Sequence, residues 1–393
     1  MGQAFSLRGA SAPPDCNHIM PASIAAVESV VDGVQAFDDL RQEWTELLAA
    51  SKSNCIFLTW EWLYTWWHHL AGDRRLHLLL VRVEDQLVAI APFALSPRFR
   101  FGHALETLEF LGSGYVGSDY LDVIAREGHE SIAIAALSEY LAKQPYALRW
   151  TNVKSTSLAA DLAAALTDSK WSFADKQINV CPYIPLTGHT WESYLATLGS
   201  EHRYNFRRKW QRLNRDFTVR LDSPGTTAEC RESIDVAIAL HNLRWQEHGQ
   251  SDAFHTAELV AFHREFAPLA WERGWLRMYV LRLNDRPAAC LYGFLHECKF
   301  YFYQSGFDPA YTKHSVGLVT MGLAIQKALS EHATEFDLLH GDEPYKAHWA
   351  RAHRDLRRLE LFPAHTLGRL SNMAVEMIRS ARKLAQGVLN TGL

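Results

Sequence analysis

Two segments of the 393-residue chain, 200 positions apart, have the same hairpin pattern. Residues 76–95 (LHLLLVRVEDQLVAIAPFAL) align without gaps on residues 276–295 (LRMYVLRLNDRPAACLYGFL), with five of the twenty positions identical. In each segment two apolar runs flank a short polar turn, which is typical of a β-hairpin. A strand, a helix and a strand are predicted to follow both hairpins in the same order. The sequence therefore predicts a duplicated chain with two halves of one architecture.

The periodicity of apolar residues predicts the remaining elements. Helices are expected at 38–50, 59–70, 132–142, 191–216, in two pieces between 227 and 273 that break near Gly249, at 316–329, and as a terminal amphipathic helix carrying Leu370, Met373, Met377, Ala381, Leu384 and Val388. Further strands are expected at 105–111, 120–124, 147–153, 300–304, 335–339 and 356–362. This order predicts the α/β (α+β) class, with a mixed, mostly antiparallel sheet flanked by helices in each half.

Composition narrows the class of protein. The net charge of −4 argues against a surface that binds nucleic acid over its whole extent. Six cysteines stand at positions 16, 55, 181, 230, 290 and 298, without a C-x-x-C pair, so we expect reduced thiols and no metal site. The sequence shows neither a signal peptide nor an apolar run long enough to span a membrane, which predicts a cytoplasmic protein.

The glycine-rich segment Gly112–Gly117 spells G-x-G-x-x-G after a predicted strand. A dinucleotide site would need a helix to begin there, with its amides facing a pyrophosphate. The residues that follow, 118–124, alternate like a strand instead. The segment is therefore interpreted as a glycine-rich connection.

A second loop is a better candidate for binding an anion. The strand YFYQSG (301–306) leads into the helix that starts near Lys313, His314, Ser315 and Gly317. Helix N-termini present free N–H groups, and glycine lets a phosphate approach the backbone closely. The alternative is an ordinary surface loop in which Ser315 caps the helix.

Polar residues crowd at the end of the predicted strand 335–339. They are His340, Asp342, Glu343, Tyr345, Lys346, His348 and Arg351. Polar groups at the carboxyl end of a strand are a common active-site layout in α/β proteins. The alternative is a solvated turn whose acidic residues complement the dipole of a short helix.

The segment 202–216 is strongly basic. Arg203, Arg207 and Arg208 lead a run that continues with Lys209, Arg212 and Arg215. Such a run fits the phosphates of a ligand, or it is simply a solvated helix face.

These motifs together resemble a known family. Residues from about 200 to 362 resemble the CelD-type (cellulose-biosynthesis-protein-like) acetyltransferase domain of the GNAT superfamily. The resemblance is carried by R-x-N-x-R-R from Arg203, by Y-x-x-G-F-D-P (303–309), by Ser315-Val-Gly317 and by F-D-x-L-x-G-D-E-P-Y-K-x-x-W (336–349). It implies tandem GNAT-like domains, a plan shared with FemABX aminoacyltransferases. The implied divisions are a tail at 1–25, a degenerate half at 26–190, the acyltransferase half at 191–364 and a terminal helix at 365–393.

The resemblance implies acyl transfer from acetyl-CoA or another acyl-CoA to an amine or hydroxyl acceptor. Implied cofactor-binding residues are Gln304, Ser305, Gly306, Lys313, His314, Ser315, Val316 and Gly317; implied substrate-binding residues are Arg203, Arg207, Arg208 and Trp349. The usual GNAT pyrophosphate signature is reduced here to Lys313–Gly317. The acceptor suggested by family association is an amino sugar or a polysaccharide or cell-envelope precursor, with polysaccharide-synthesis proteins as partners.

The expected mechanism is direct attack of the acceptor on the thioester. Asp342 or Glu343 is the first choice for the general base and His340 the second. Backbone N–H groups near Gln304–Gly306 would hold the oxyanion, and Tyr345 or Lys346 would meet the departing thiolate.

Two other functions fit the same sequence. One is a FemABX-like aminoacyltransferase that takes its acyl group from aminoacyl-tRNA, with the basic helix 203–215 holding RNA phosphates. The other is a non-catalytic partner in polysaccharide assembly that keeps the fold.

Overall fold

The computed structural model describes residues 26–31, 33–246, 254–365, 367–377 and 380. The helices are α1 (Val34–Asp39), α2 (Arg41–Ala49), α3 (Trp60–Leu70), α4 (Glu130–Ala142), α5 (Leu158–Asp168), α6 (Trp191–Thr197), α7 (Ser200–Asp216), α8 (Thr227–Gln246), α9 (Ala257–Glu272) and α10 (Val316–Ser330), and residues 367–377 are also helical. The strands are β1 (Ala26–Val31), β2 (Arg75–Val83), β3 (Gln86–Ser96), β4 (Thr107–Phe110), β5 (Ile124–Ala125), β6 (Ala147–Lys154), β7 (Ser172–Pro185), β8 (Val219–Asp222), β9 (Leu276–Leu283), β10 (Arg286–His296), β11 (Lys299–Phe307), β12 (Glu335–Asp337) and β13 (Ala352–Phe362).

One mixed sheet runs through both halves of the described chain, in the order β1-β2-β3-β4-β6-β13-β7-β12-β11-β10-β9-β8, with β5 beside β3. In the first half β1 to β4 pair antiparallel and β4 then pairs parallel with β6. The second half repeats this succession, with β8 to β11 antiparallel and β11 parallel to β12. The predicted fold class and the predicted duplication of architecture are therefore confirmed.

The two strands in the middle of the sheet cross between the halves. β7 belongs to the first half by sequence, yet it pairs with β12 of the second half, where Ile184 faces Phe336. β13 follows the second half and pairs with β6 of the first, where Leu356 faces Lys154. β7 and β13 also pair with each other along almost their whole length. The sheet is continuous because of this exchange.

Several predicted elements differ from the structure. Most of the predicted strand 120–124 is irregular and only β5 remains, because Tyr120 adopts a left-handed backbone with φ of 61°. The predicted helix 191–216 is two helices, since the chain is extended at Leu198 and Gly199. α5 and β7 were not predicted. The expected break near Gly249 and the terminal helix beyond residue 377 lie outside the described residues, apart from Ser380.

Aromatic packing between α3 and α9 joins the halves on one face of the sheet. Trp62 is fully buried, and its ring contacts Phe262 and Phe266 edge-on at centroid distances of 4.9 and 4.8 Å. Burying a side chain such as Phe266 contributes about 1.5–3 kcal/mol. Beside it the buried Glu61 pairs with Arg273 at 2.6 Å. Three tryptophans of α3, Trp60, Trp62 and Trp66, are thus core, whereas Trp67 is half-buried.

The described helices include none that is both long and apolar enough to cross a membrane.

Candidate active site

β11 and β12 separate shortly after they begin. Their parallel pairing runs from Lys299/Glu335 to Tyr301/Asp337, and β11 then continues alone toward Phe307. Its register with β10 slips at Tyr303, which forms a β-bulge. A bulge breaks the ladder locally and turns the strand. The result is a wedge-shaped gap between two strand ends.

A cavity of about 440 Å³ fills this gap, and we call it the central cavity. It is bordered by residues 302–305 of β11, by residues 338–341 and 343–346 after β12, and by residues 115–117 from the first half. Gln304 and Ser305 lie on its wall, and so do His340, Glu343, Tyr345 and Lys346. The glycine-rich loop of the first half and the polar turn of the second therefore meet at one site.

A smaller cavity lies where α10 begins, and we call it the helix-start cavity. Ser305, Gly306, Gly317, Tyr345 and Trp349 are among its lining residues. Among the described residues no side chain caps this end of α10, because Ser315 adopts φ of 54° and its hydroxyl makes no cap. The capping alternative is therefore wrong, and the amides of the first turn are available to an anion.

The neighbours of the helix start differ in what they could offer a ligand. Gly317 is exposed, and a Cβ at this position would meet only Phe307, at an ordinary 3.7 Å. Val316 is buried in the core, so only its backbone could bind. The ring of His314 packs against Phe217 at 5.0 Å. Lys313 is exposed.

A histidine–aspartate pair stands at the edge of the central cavity. Nδ1 of His340 lies 2.9 Å from Oδ1 of Asp119, and the backbone N–H of His340 donates to the same carboxylate at 2.8 Å. Asp119 is fully buried, whereas the side chain of His340 is 38% exposed. The charge of Asp119 raises the pKa of His340 above its ordinary value, against the opposing effect of burial. Since Nδ1 faces the carboxylate, Nε2 is the ring nitrogen left for chemistry.

The glycine-rich loop forms the wall beside this pair. A Cβ on Gly117, which has φ of 70°, would lie 3.4 Å from Cε1 of His340. Tyr303, at the bulge, donates its hydroxyl to the carbonyl of Val116 and also contacts Nε2 of His263 at 3.2 Å. No helix begins at the loop, so the connection predicted from the sequence is confirmed. It attaches the first half to the bulge of the second.

The turn after β12 is held together by Lys346. Its buried ammonium donates to the carbonyl oxygens of His340 at 2.6 Å and Leu339 at 3.3 Å, and pairs with Glu343 at 2.9 Å. These three partners use all three N–H bonds of the ammonium. Lys346 is therefore a structural residue of the turn, and its expected role as a positive neighbour of the thiolate stays a prediction. Asp342 and Glu343 are exposed.

Arg244, on α8, was not identified from the sequence. It lines both cavities, and its Nη1 donates to Oγ of Ser305 at 3.2 Å. The guanidinium lies over the rings of Phe307, at 5.3 Å, and Tyr345, at 5.9 Å. Burial raises the pKa of the Tyr345 hydroxyl, which therefore keeps its proton at neutral pH. Arg244 and Tyr345 thus lie together between the two cavities.

The basic helix α7 has mixed roles. Nη1 of Arg203 donates to the carbonyl oxygens of Ala196 and Leu198, which satisfies the end of α6 and gives Arg203 a structural role; substrate binding by this residue stays a prediction. Phe206 is core, because its ring lies against Gly322 of α10, where a Cβ would come within 2.2 Å. Arg207 and Arg208 are exposed. Trp349 is buried and contacts Phe206 edge-on at 6.0 Å while lining the helix-start cavity.

Among the described residues one group could hold a metal ion. The ligand atoms of His68, His69 and Glu265 all lie within 4.8 Å of one another. Nε2 of His69 lies 2.6 Å from the Glu265 carboxylate, so a hydrogen bond accounts for the contact.

Part of the chain matches a known protein family. Residues 200–347 match the acetyltransferase (GNAT) domain. The match spans α7 to the polar turn and so contains the splayed strands and the start of α10. No curated protein matches the chain by sequence.

Solved structures show the same fold over nearly the whole chain. FemX is 12% identical, with a TM-score of 0.58 over 85% of this chain and 98% of its own. The C-terminal domain of a putative lysylphosphatidylglycerol synthetase from Agrobacterium fabrum is 11% identical, with a TM-score of 0.51 over 88% and 96%. The L-PGS from Bacillus licheniformis is also 11% identical, with a TM-score of 0.51 over 86% and 96%.

Residues 200–347 thus correspond to an acetyltransferase (GNAT) domain, within a chain that has the fold of these solved structures. The matched residues include His340, whereas Asp119 lies outside them. No local pattern pointed to Asp119, because only the tertiary structure brings this residue to its partner 221 positions away.

Proposed function

We propose that this protein is an acyl-CoA-dependent N-acyltransferase whose reaction takes place in the central cavity. The observation that carries the proposal is the splay of β11 from β12 beside the uncapped start of α10. The helix-start cavity would take the anionic part of the donor, and the central cavity its acyl end. Both are bordered by Ser305 and Tyr345, so one extended donor could occupy them together.

The proposed mechanism uses His340 as the general base. The nitrogen of the acceptor attacks the thioester carbonyl, and its proton passes to Nε2 of His340 while Asp119 orients the ring and stabilises its charged form. When the tetrahedral intermediate collapses, the carbon–sulfur bond breaks. The neutral hydroxyl of Tyr345 then supplies a proton to the thiolate. The proton held by His340 passes through solvent to the oxygen of Tyr345, so both residues return to their starting state.

The charge of the intermediate also needs a partner. Backbone N–H groups near the bulge, over Gln304–Gly306, are the candidates for an oxyanion site. Arg244 contributes a positive charge beside Ser305 and Tyr345. A fixed positive charge at this position would stabilise a developing anion beside it.

The finer assignment rests on motifs. The segment 336–349 supports a CelD-type enzyme, and with it an amino sugar or a polysaccharide or cell-envelope precursor as the acceptor. The division of the chain near residue 190 into a degenerate and an active half, with accessory polysaccharide-synthesis proteins as partners, belongs to the same proposal.

The test is acetyl-CoA-dependent thiol release across a panel of amines and amino sugars. Native mass spectrometry of the protein with acetyl-CoA measures donor binding in parallel. We expect donor binding and thiol release with at least one acceptor. Donor binding without release for any amine would favour a non-catalytic partner, and absence of donor binding would sink the proposal.

A second candidate is transfer from aminoacyl-tRNA. The observation that favours it is the exposed pair Arg207 and Arg208 on α7, which could face RNA phosphates. Purification of the protein with bound tRNA, and competition between tRNA and acetyl-CoA, would decide between the two donors.

A further inference from the structure

The first half contains its own wedge between strands. β4 and β6 pair in parallel only at Thr107/Ala147 and Leu108/Leu148, and then separate as β11 and β12 do. A cavity of about 790 Å³ borders the strands beyond this point, and we call it the N-half cavity. It shares Tyr115, Val116, Gly117 and His340 with the central cavity. The gaps between diverging strands, one in each half, therefore meet at His340.

On the wall of the N-half cavity, arginine side chains outnumber carboxylates. Arg74 and Arg149 share the buried Glu109, at 3.4 and 3.7 Å. Arg149 also contacts Glu360 at 3.4 Å, and Glu360 in turn pairs with Arg358 at 3.6 Å. The described residues that line the cavity include three arginines, Arg74, Arg100 and Arg149, and two carboxylates, Glu109 and Glu258.

Burial makes this excess of positive charge costly. The side chains of Arg74 and Arg149 are only 9% and 25% exposed. Desolvation lowers the pKa of both groups, against the opposing effect of Glu109. A buried charge that lacks full compensation is stabilised by an anion that takes the place of water. The cavity wall therefore fits a negatively charged ligand.

The lining of the cavity also includes Arg100, which is more exposed than Arg74 and Arg149, and several aromatic rings. Arg100 lines the cavity and pairs with the exposed Asp73 at 2.5 Å. Trp66, Phe101 and Tyr115 also line it. The guanidinium of Arg149 lies over the ring of Phe101 at 4.5 Å. A ligand with one anionic group and a compact polar body would be complementary to such a wall.

We infer that the N-half cavity is the acceptor site, and that the acceptor carries an anionic group, a carboxylate or a phosphate, in addition to its amine. This inference rests on the proposed acyltransferase function. The arginine cluster binds the anionic group, and the amine points toward His340, where the central cavity begins. The donor and the acceptor thus enter through the wedges of different halves.

Matched pairs of amines test the inference. Glucosamine 6-phosphate is compared with glucosamine, and alanine with alaninamide, so the phosphate and the carboxylate are examined separately. Binding is measured by calorimetry without donor, and thiol release is measured with acetyl-CoA. We expect one acidic member to bind at least about tenfold more tightly than its neutral partner, since hydrogen bonds between charged groups are the strong ones.

Arg100→Gln, at the exposed rim, is the informative variant, because it should fold normally. It should weaken binding of the acidic member about tenfold and leave the neutral member within about twofold. Arg286→Gln, on the exposed β9–β10 turn, is the matched control and should change neither. Equal binding of acidic and neutral members, or equal effects of Arg100→Gln on both, would overturn the inference.

Failure of the inference is distinguishable from failure of the proposed function. Tight binding of an acidic amine without thiol release would support an anion site in the N-half cavity while contradicting the acyltransferase. Thiol release from neutral amines, unaffected by Arg100→Gln, would support the enzyme and overturn the acidic acceptor.

Discussion

At the scale of single residues, the site depends on a contact between the halves. Asp119 follows the glycine-rich loop of the first half, and His340 follows β12 of the second. The buried carboxylate has two further donors, the backbone N–H of His340 and Sγ of Cys181 at 3.6 Å. These contacts fix the orientation of the carboxylate, and the carboxylate in turn orients the imidazole. Rigid support of this kind is what a general base requires.

The pair predicts a specific pH dependence. Since Asp119 raises the pKa of His340, the neutral base forms only as the pH rises through a value above the ordinary 6.5, and the single-turnover rate should rise with it. His340→Gln should lower the rate about 10²–10⁴-fold while acetyl-CoA binding is kept. Asp119→Asn removes the charge, so the midpoint of the profile should move to lower pH. An unshifted midpoint in Asp119→Asn would make this contact structural only.

Asp342 and Glu343, the acidic residues of the turn, are the other candidates for the general base. Asp342 and Glu343 were the first choices from the sequence, but both are exposed and Glu343 is paired with Lys346. We therefore propose His340, the second choice from the sequence, as the general base in place of the two carboxylates. Asp342→Asn and Glu343→Gln should each retain the rate within about tenfold, measured by the same single-turnover assay. A loss as large as that of His340→Gln in either variant would return the role to the carboxylate.

At the scale of elements, α10 carries two glycines with opposite requirements. A Cβ on Gly317 would meet only Phe307, at an ordinary 3.7 Å, whereas Gly322 lies against Phe206 of α7. The first leaves room for a ligand, and the second leaves room for a neighbouring helix.

This difference gives a paired prediction. Gly317→Val should weaken acetyl-CoA binding at least about tenfold with only a small change in the thermal midpoint, because its side chain would occupy the path of the phosphate. Gly322→Ala should instead destabilise the fold by about 1–3 kcal/mol through overpacking. Calorimetric titration and thermal unfolding measure the two effects. Unchanged affinity in folded Gly317→Val would remove the helix start from the site.

Whether the exposed face of α7 binds an anionic donor can also be tested by substitution. Arg207→Ala combined with Arg208→Ala should weaken binding of an anionic donor and flatten its salt dependence, because both charges are solvent-exposed and screened by salt. Acetyl-CoA and tRNA are titrated separately at low and high ionic strength. If both affinities and their salt dependence stay unchanged, this face is only a solvated surface.

At the scale of the whole molecule, the exchange of β7 and β13 ties the halves into one sheet. Removing the first half would take β7 from β12 and leave β13 without β6 and β7. Unpaired strands of this length expose backbone groups and apolar side chains together.

We therefore predict that residues 191–380 alone lack cooperative thermal unfolding and near-ultraviolet circular dichroism. Co-expression with residues 1–190 should restore both signals, since the missing strand returns with that fragment. A sharp unfolding transition in the isolated fragment 191–380 would contradict this account, and the intact chain provides the reference.

The sequence by itself determined the elements with strong local patterns. The two hairpins, α3 and α10 follow from apolar periodicity, and their repetition predicted the duplicated architecture. The same local signals placed the helix start and the polar turn, because both are punctuated by glycine and proline. Tertiary structure decided the rest. β7 carries a poorly alternating pattern and is stable only between β12 and β13, and Asp119 meets His340 only because the halves pack together. Pairings between distant residues leave no periodic trace in the chain, so no local pattern could have predicted them.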